Sequence, residues 1–494
     1  MFNPSINSPR KQRGIIGLWG AMTLLLAVLF MALAVDTGRL WMQKRKLQSI
    51  ADVASIEAAS RISCEVNIDA VRDAAQNAAA RNGYNGQLSQ SPNLIQLGSI
   101  TNSSGIRQFF DTSDDGAVRI YITQTVPASL VAGGLFGNQV LLHAEAVSAA
   151  HPPMISFTAG SFLLNINSSN EGLMDELLGG LLGTNINLSL LSYQGLATAD
   201  VTLADMSRVQ GSSSVQDLLN AEISLRDLIN LIGDGVAEAG TANSPAATAL
   251  QQLGAAVAKG ATIRLSDILA VSAPNEEVTA DFSLNALSLI TAAALFVNEG
   301  ASVSLGVLDA TITVTQAPVL AIGPSDGTGC TEAKTAQLRV NTSVSLGVAN
   351  VSLQLAVAQG SARFNELTTN GSQSRVKILA TPGVASLDIA ATVLGLPVPI
   401  NLPSLASSPQ ELVFEVAHPV KANLPQTMTA TTSAGDSLSN VLQGTGAPAA
   451  VSSLLEAIGN QLLDPLLELL GIRLGGIDVT LHDIQWRQPK PLII

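Results

Sequence analysis

The longest strongly apolar stretch of the chain covers residues 14–35 and contains no charged side chain. An α-helix needs about 20 apolar residues to cross a bilayer core, so this stretch predicts a transmembrane helix. Helical spacing continues beyond it on one apolar face, which comprises Leu40, Leu47, Ile50, Ala54 and Ala58. The pattern predicts a membrane-spanning helix (14–35) that runs into a helical stalk (36–82), after a short N-terminal segment (1–13).

Alternation of apolar and polar residues follows the stalk. Val118, Ile120 and Ile122 alternate with polar residues, as in a strand that buries one face. We expect this strand to form a hairpin with residues 106–110 across the polar loop 111–116. These elements predict a small β-rich subdomain over residues 83–150.

From residue 151 onward, two kinds of pattern alternate along the chain. Helical spacing of leucine predicts amphipathic helices at 173–182, 215–232, 246–258 and 451–470. Period-two alternation predicts strands at 310–315, 337–346, 351–357, 376–379 and 411–416. The fold class expected after the anchor and stalk is therefore α+β, with antiparallel sheets and Leu-rich helices, in two units at 151–322 and 323–494.

Two short motifs recur and raise the possibility that these two units are related. Asp-Val-Thr-Leu-x-Asp occurs at 200–205 and at 478–483, and Val-Ser-Leu-Gly-Val occurs at 303–307 and at 344–348. Short matches also arise by chance in a chain rich in Leu, Val and Thr. Duplication stays an open alternative.

Charge excludes one class of function and marks one candidate site. The net charge of −13 argues against nucleic-acid binding, which needs a basic surface. The basic residues that do cluster follow the apolar helix: Arg39, Lys44, Arg45 and Lys46. We expect them to contact lipid headgroups. Asp36 either pairs with a basic residue of a partner protein or marks the membrane interface and offsets Arg39.

The first 150 residues resemble the TadE/TadG-like family of Flp (tight adherence) pilus-assembly proteins. The resemblance rests first on an ordered set around the helix: Arg13-Gly14, the apolar stretch, Ala34-Val35-Asp36-Thr37-Gly38-Arg39-Leu40, the basic patch Lys44-Arg45-Lys46 and Leu47-Gln48-Ser49-Ile50-Ala51-Asp52-Val53-Ala54. A second piece at 115–127, 135–137 and 142–149 is similar to the region that follows in TadG-like proteins.

This resemblance implies a function through protein contacts. It implies a non-enzymatic accessory protein of pilus assembly, adhesion or secretion that is anchored in the bacterial inner membrane. Residues 1–13 would be cytoplasmic, and the large C-terminal part would be periplasmic or exported. The expected partners are the inner membrane and other pilus-assembly components. The chain departs from the family at Trp19, where a processed pseudopilin carries Glu, and it lacks the Asp-x-Ser-x-Ser motif of a von Willebrand factor A domain. It therefore resembles the TadG-like form without that domain.

Other interpretations remain open at the sequence level. Ala32-Leu33-Ala34 is a small-x-small motif after an apolar stretch, so the helix could be a signal peptide cleaved after Ala34, which would give a secreted surface adhesin. Alternatively, leucine-rich helices over an aliphatic sheet could form a groove that binds an envelope lipid or polymer. The two cysteines, Cys64 and Cys330, could form a disulfide or remain two buried thiols.

Motifs for catalysis or for a cofactor are not found in the sequence, and we predict no catalytic, cofactor or metal site. The four histidines, His143, His151, His418 and His482, are far apart and outside any metal-binding motif. Residues 111–116 copy the first half of a calcium loop, but Ile122 stands where the bidentate Glu belongs. A polar turn is the expected structure there.

Overall fold

The computed structural model describes most of the chain. The described residues are 15–62, 67–103, 106–111, 116–129, 139–149, 152–160, 171–212, 214–238, 245–257, 260–272, 281–324, 330–383, 385–400, 408–431, 448–469, 472–473, 476–486 and 491–492. Cys64, His151, the predicted segment 1–13 and residues 112–115 of the calcium-like loop lie outside them.

The chain forms two compact units. Unit 1 contains Met1–Arg61, Asn67–Ala150 and Pro489–Ile494, and unit 2 contains Ile62–Val66 and His151–Gln488. Apart from the short excursion Ile62–Val66, the chain leaves unit 1 after residue 150 and returns to it at residue 489. This exit coincides with the sequence boundary expected at 150/151.

In the part of unit 1 that the structure describes, there are two helices and one antiparallel sheet. Its elements are α1 (Ile15–Ala59), α2 (Ile68–Arg81), β1 (Leu94–Ser103), β2 (Ile106–Phe110), β3 (Ala117–Pro127), β4 (Gln139–Ala149) and, late in the chain, β25 (Pro491–Leu492). The strand order is β2-β1-β3-β4-β25. Helix α2 starts at the cap residue Asn67, whose side chain accepts hydrogen bonds from the Asp69 and Ala70 amides, and it packs on α1.

Helix α1 has two parts with different surroundings. Residues 17–35 are exposed apart from the half-buried Ala32. The predicted face from Leu47 to Ala58 is fully or almost fully buried, and α1 packs on β3, β4 and α2. Residues 36–59, expected as part of a stalk, therefore belong to the same compact unit as the sheet.

One predicted pairing in unit 1 is wrong. Strand β2 pairs with the second half of β1, from Ser103 opposite Ile106, and β3 pairs with the first half of β1, from Leu94 opposite Tyr121. Thus β2 and β3 are not a hairpin. The intervening strand β1 was missed because its residues have no strict alternation and most are half-buried. The predicted buried face of β3 is confirmed, since Val118, Ile120 and Ile122 are all inaccessible.

Unit 2 begins with one strand and then a mainly helical segment. Its first elements are β5 (Met154–Ala159), α3 (Glu171–Leu182), α4 (Leu190–Thr198), β6 (Asp200–Thr202), α5 (Leu203–Gln210), α6 (Val215–Asn220), β7 (Ile223–Ser224), α7 (Leu225–Val236), α8 (Pro245–Ala256), β8 (Thr262–Ile263), α9 (Leu265–Ile268), β9 (Leu269–Val271), β10 (Ser283–Asn285) and α10 (Ala286–Val297).

The rest of unit 2 is mainly strands. They are β11 (Ser302–Leu305), β12 (Ala310–Gln316), β13 (Leu320–Pro324), β14 (Glu332–Lys334), β15 (Gln337–Leu346), β16 (Ala349–Val357), β17 (Ser361–Thr369), β18 (Gln373–Thr381), β19 (Ala385–Val393), β20 (Leu396–Val398), β21 (Gln410–Ala417), β22 (Gln426–Thr431), β23 (Ile472–Arg473) and β24 (Gly476–Gln485). Two helices, α11 (Ala449–Ile458) and α12 (Asp464–Leu469), precede β23 and are joined by a π-helical turn.

Three larger sheets organise unit 2. Their strand orders are β11-β12-β15-β16-β19-β20, β14-β17-β18-β21 and β22-β24-β5-β13-β9. All their neighbouring strands are antiparallel except β13 and β9. One core joins the helices to the six-stranded sheet, and a second core lies between the other two sheets. The expected α+β architecture with antiparallel sheets is confirmed.

The division expected at 322/323 differs from the structure. A single core contains Ile290 and Ile322 together with Leu353 and Leu462, so residues on both sides of that position pack together. The predicted helix 215–232 is two helices separated by β7. Helix α10 was missed because almost all of its residues are buried, which leaves no polar face to give a helical period.

Candidate functional site at the membrane end of the first helix

The exposed part of α1 has the length and composition of a membrane span. The helix is long and apolar enough to cross a membrane. Its most apolar window has a mean hydropathy of 2.4, and no residue of that window is buried by the protein. Residues 14–35 would extend about 33 Å at the usual helical rise, which matches a hydrocarbon core of about 30 Å. The helix is therefore compatible with a single-pass anchor, and the same features are shared by signal sequences.

Asp36 and Arg39 lie at the end of this apolar stretch and turn inward to the sheet. Asp36 is 8% exposed and accepts a hydrogen bond from the Ser129 hydroxyl. The Arg39 guanidinium donates to the backbone carbonyl of Pro127 and, at 3.5 Å, to that of Ala128. Ionised groups make stronger hydrogen bonds than neutral ones, so these contacts fix the end of β3 to the helix. We call Asp36, Arg39 and residues 127–129 the juxtamembrane clamp.

The other three predicted contact residues face outward. Lys44, Arg45 and Lys46 are exposed, and the Arg45 guanidinium stacks over the Trp41 ring at 4.7 Å from its centroid. The structure thus separates the five residues predicted from sequence. Asp36 and Arg39 bind the protein's own sheet, whereas the three consecutive cations remain available to a membrane surface or to another molecule.

Further contacts between α1 and the sheet were not predicted. The Gln48 amide donates to the Glu145 carbonyl at 2.6 Å, and the Ser55 and Ser148 hydroxyls are 2.7 Å apart and inaccessible. Small residues at helical spacing, Ala51, Ser55 and Ala58, allow this close approach. That spacing was a usable sequence signal for a helix face that packs on a sheet.

Cys330 takes part in a disulfide. The chain has one other cysteine, Cys64, which lies outside the described residues. The pairing of Cys64 with Cys330 therefore remains a proposal, which a peptide map can test.

Two polar groups in unit 2, the buried His482 and the surface residue Asp200, have perturbed acidity. His482 is buried on β24, 3.0 Å from the Thr158 hydroxyl, and desolvation lowers its pKa to about 4. The pKa of Asp200 is raised to about 6, first by desolvation and then by the negative charge of Asp483, while Lys421 opposes the shift. Among the described residues, no group of three or more His, Cys, Asp and Glu side chains has the arrangement of a metal site.

A serine–histidine pair in unit 2 does not form an accessible nucleophile. The Ser374 Oγ and His418 Nε2 atoms are 2.9 Å apart, and the Trp486 indole N–H donates to the same Oγ at 3.0 Å. Ser374 has no exposed surface, so a substrate cannot reach its hydroxyl. These hydrogen bonds instead connect β18 to the ends of β21 and β24.

A shallow depression near α5 and α7 does not have the character of a lipid groove. Its volume is about 270 Å³, and Glu222, Asp227 and Asp234 are among its lining residues. The lipid-binding alternative requires a long apolar groove, and this depression does not provide one.

Unit 1 defines a class of protein with an apolar N-terminal helix that continues, without a break, into a helix packed on an antiparallel sheet. Comparison with known families identifies that class. Residues 14–61 match the family model described as Flp pilus-assembly TadE/G-like, and residues 57–148 match the one described as Tad-like Flp pilus-assembly. Residues 14–148 of this chain are thus similar to the TadE/TadG-like Flp pilus-assembly proteins.

The second family match ends one residue before β4 ends. The two matches therefore cover the described elements of unit 1 from α1 to β4 and leave out only its last strand, β25. Residues 170–295 match a family model described only as a domain of unknown function, and this match covers the helical segment from α3 to α10. No curated protein and no solved structure matches the chain.

Proposed function

We propose that this protein is a non-enzymatic accessory component of Flp/Tad pilus assembly, adhesion or secretion, anchored in the inner membrane by α1 with its large C-terminal part exported. The observation that carries the proposal is the agreement between unit 1 and the two pilus-assembly family models. It is supported by the anchor-like exposure of residues 17–35 and by the outward-facing cations after them.

The proposed action is through protein contacts. Unit 1 would hold the protein at the membrane beside other assembly components, while unit 2 presents several sheets and a helical segment to the envelope or pilus. The inaccessible Ser374 hydroxyl supports a non-enzymatic role, since the one serine–histidine pair noted above cannot act on a substrate.

The first experiment is to express the full chain in its native host, extract membranes with carbonate, and sequence the N-terminal peptide of the mature species by mass spectrometry. A carbonate-resistant protein with residues 14–35 retained supports the anchor. A soluble species beginning at Val35 would contradict it and would favour the secreted adhesin.

The pilus role needs a second measurement. Deletion of the gene should abolish surface pili without reducing the amount of pilin in the cell, and the intact gene should restore them. Normal piliation in the deletion strain would contradict a role in assembly.

A further inference from the structure

The membrane-proximal end of the unit 1 sheet carries exposed apolar side chains on several sides. In β4, Leu141 is 55% exposed and Val140 is 36% exposed, and on α1 Trp41 and Met42 are 60% and 65% exposed. We call these four residues the lipid-facing rim. They are unusual because deeper parts of the same strand and helix, such as Ala146 and Leu47, are inaccessible.

The four rim residues lie at a similar height above the apolar helix. With Val35 as the end of the apolar stretch, Trp41 and Met42 are about 9 and 10 Å further along the axis. Gln48, which hydrogen-bonds to the Glu145 carbonyl, is about 20 Å from Val35 along the helix axis. Leu141 is four residues before Glu145 on β4, so its height above Val35 is about 7 Å. The juxtamembrane clamp keeps this end of the sheet at that height.

Their positions around the axis favour a planar surface as the binding partner. Val140 shares the strand face of Ser148, which contacts α1, while Leu141 lies on the opposite face of the sheet. Trp41 and Met42 are on the sides of α1 that the sheet leaves exposed. A protein partner would contact one side, whereas a bilayer perpendicular to the helix touches all sides at one height.

Charge complementarity identifies the type of surface. Lys44, Arg45 and Lys46 are exposed within one further turn of the rim, in a chain whose net charge is −13. Tryptophan is enriched at membrane interfaces, and clustered cations next to a membrane helix attract anionic headgroups.

We propose that the sheet of unit 1 rests directly on an anionic phospholipid surface. The rim contacts the headgroup and upper acyl region, and Lys44, Arg45 and Lys46 bind the phosphates. This inference rests on the proposed membrane anchor, and it adds that the sheet does not stand clear of the bilayer on a stalk.

The test compares two exposed leucines of the same sheet in the full chain. Leu141→Cys and Leu94→Cys are each labelled with an environment-sensitive fluorophore, with the native disulfide kept oxidised. Leu94 is 46% exposed and pairs with Tyr121, which is opposite Glu145, so it lies about 13 Å further from the membrane than Leu141. Both proteins are reconstituted into vesicles of phosphatidylcholine with phosphatidylglycerol that contain a headgroup-proximal lipid quencher.

We expect the Leu141 probe to lose roughly half of its fluorescence and the Leu94 probe to lose little, because interfacial groups lie only about 5–10 Å deep. Replacing Lys44, Arg45 and Lys46 by Gln should reduce the Leu141 quenching in these vesicles but not in pure phosphatidylcholine. Equal quenching at the two positions in carbonate-resistant protein overturns the inference while the anchor stands. Loss of both labelled proteins to the carbonate extract overturns the anchor itself.

Discussion

At the scale of single residues, burial decides what the polar groups of this protein can do. His482 lies within β24 and its ring is beside the Thr158 hydroxyl, so the neutral imidazole is the form that the fold accepts. Protonation would place an uncompensated charge in that interior. The residue therefore makes folding sensitive to acid, although nothing in its sequence context sets it apart from the other three histidines.

Replacing His482 with Gln should reduce the acid sensitivity of unit 2. The folded-state pKa of His482, about 4, is below its usual 6.5, so its stabilisation is complete above pH 6.5 and is lost as the pH falls to about 4. The loss is roughly 3 kcal/mol over that window. The loss of stability would be measured from urea unfolding midpoints at several pH values, with hydrogen exchange of β24 as the readout.

His143→Gln is the matched control for this variant. His143 is exposed on β4, so its replacement should leave most of the acid dependence of β24 in place. If His482→Gln and the unmodified chain lose stability in parallel between pH 6.5 and 4, His482 is not the responsible group.

The residue scale also shows what the sequence could and could not reveal about the candidate site. A cluster of cations after an apolar helix predicted Lys44, Arg45 and Lys46 as outward contacts, and their exposure agrees with that. The inward orientation of Asp36 and Arg39 depends on Pro127, Ala128 and Ser129. Contacts about 90 residues apart leave no local pattern to detect.

At the scale of elements, α1 combines two environments in one continuous helix. Its first part is exposed and mostly apolar, whereas its last turns carry small residues that approach the sheet and α2 closely. Ala54, Ser55 and Ala58 have no exposed surface. Bulk at these positions would separate α1 from its neighbours.

Ala58→Leu should therefore destabilise unit 1 by about 2 kcal/mol through overpacking. Val53→Leu is the matched control, because Val53 is 37% exposed on the same helix and has room for the added carbon. Hydrogen exchange of α2 and β4 would report the difference. Similar exchange in the two variants would mean that the helix face tolerates bulk and is not closely packed.

Two sheets of unit 2 are joined at a corner where three chain segments pass side by side. In the four-stranded sheet, β14 is followed by β15 and β18 is followed by β19, both of the six-stranded sheet. In the opposite direction, β16 of the six-stranded sheet is followed by β17 of the four-stranded sheet. At this corner a Cβ on Gly383 would lie 1.9 Å from the Ala358 carbonyl oxygen and 3.0 Å from the Gly360 nitrogen. Only glycine fits without displacing backbone.

Gly383→Ala should accordingly destabilise unit 2 by an amount on the order of 3 kcal/mol. Gly172→Ala is the control, since Gly172 lies in α3 with nothing within 4 Å of an added Cβ. A urea titration that monitors β16 and β18 by hydrogen exchange distinguishes them. Equal midpoints for the two variants would show that the corner can open to accept a methyl group.

The recurring motifs have different explanations at this scale. Residues 303–307 and 344–348 both end a strand and enter the turn of a hairpin at the same end of the six-stranded sheet, so the shared Leu-Gly reflects a shared turn. Residues 200–205 form a short strand and a helix start, whereas 478–483 lie inside β24. The same motif, identical at five of six positions, adopts two structures because surrounding packing overrides local preference.

At the scale of the whole molecule, local patterns identified elements but not their assembly. The predicted strands at 337–346 and 351–357 are β15 and β16, because alternation records a single buried face. Strands β5, β13 and β24 are buried on both faces or nearly so. Residues 155–159 and 477–482 do alternate apolar and polar side chains, but alternation alone does not show that the polar face is buried too. The sheet they share joins positions from 154 to 485, which local periodicity cannot indicate.

We expect peptide mapping without reductant to recover Cys64 linked to Cys330. Such a bond closes a loop of roughly 270 residues and should contribute about 6 kcal/mol in the chain-entropy view. Cys64→Ser, Cys330→Ser and the double variant should then lose the same stability, because the contribution belongs to the pair. Alkylation of both cysteines in the unreduced, denatured protein would show that they are not paired.

Strand β25 adds a matter of timing. It completes the sheet edge at Val147 and Ser148, yet the ribosome adds it roughly 340 residues after β4. At a translation rate of about 5–20 residues per second, β25 is synthesised roughly 20–70 s after β4, and unit 2 is synthesised in that interval. Any chain cut short in between is left with an unpaired strand edge, the structural feature through which β-proteins aggregate. The sheet of unit 1 can therefore be completed only after unit 2 has been synthesised.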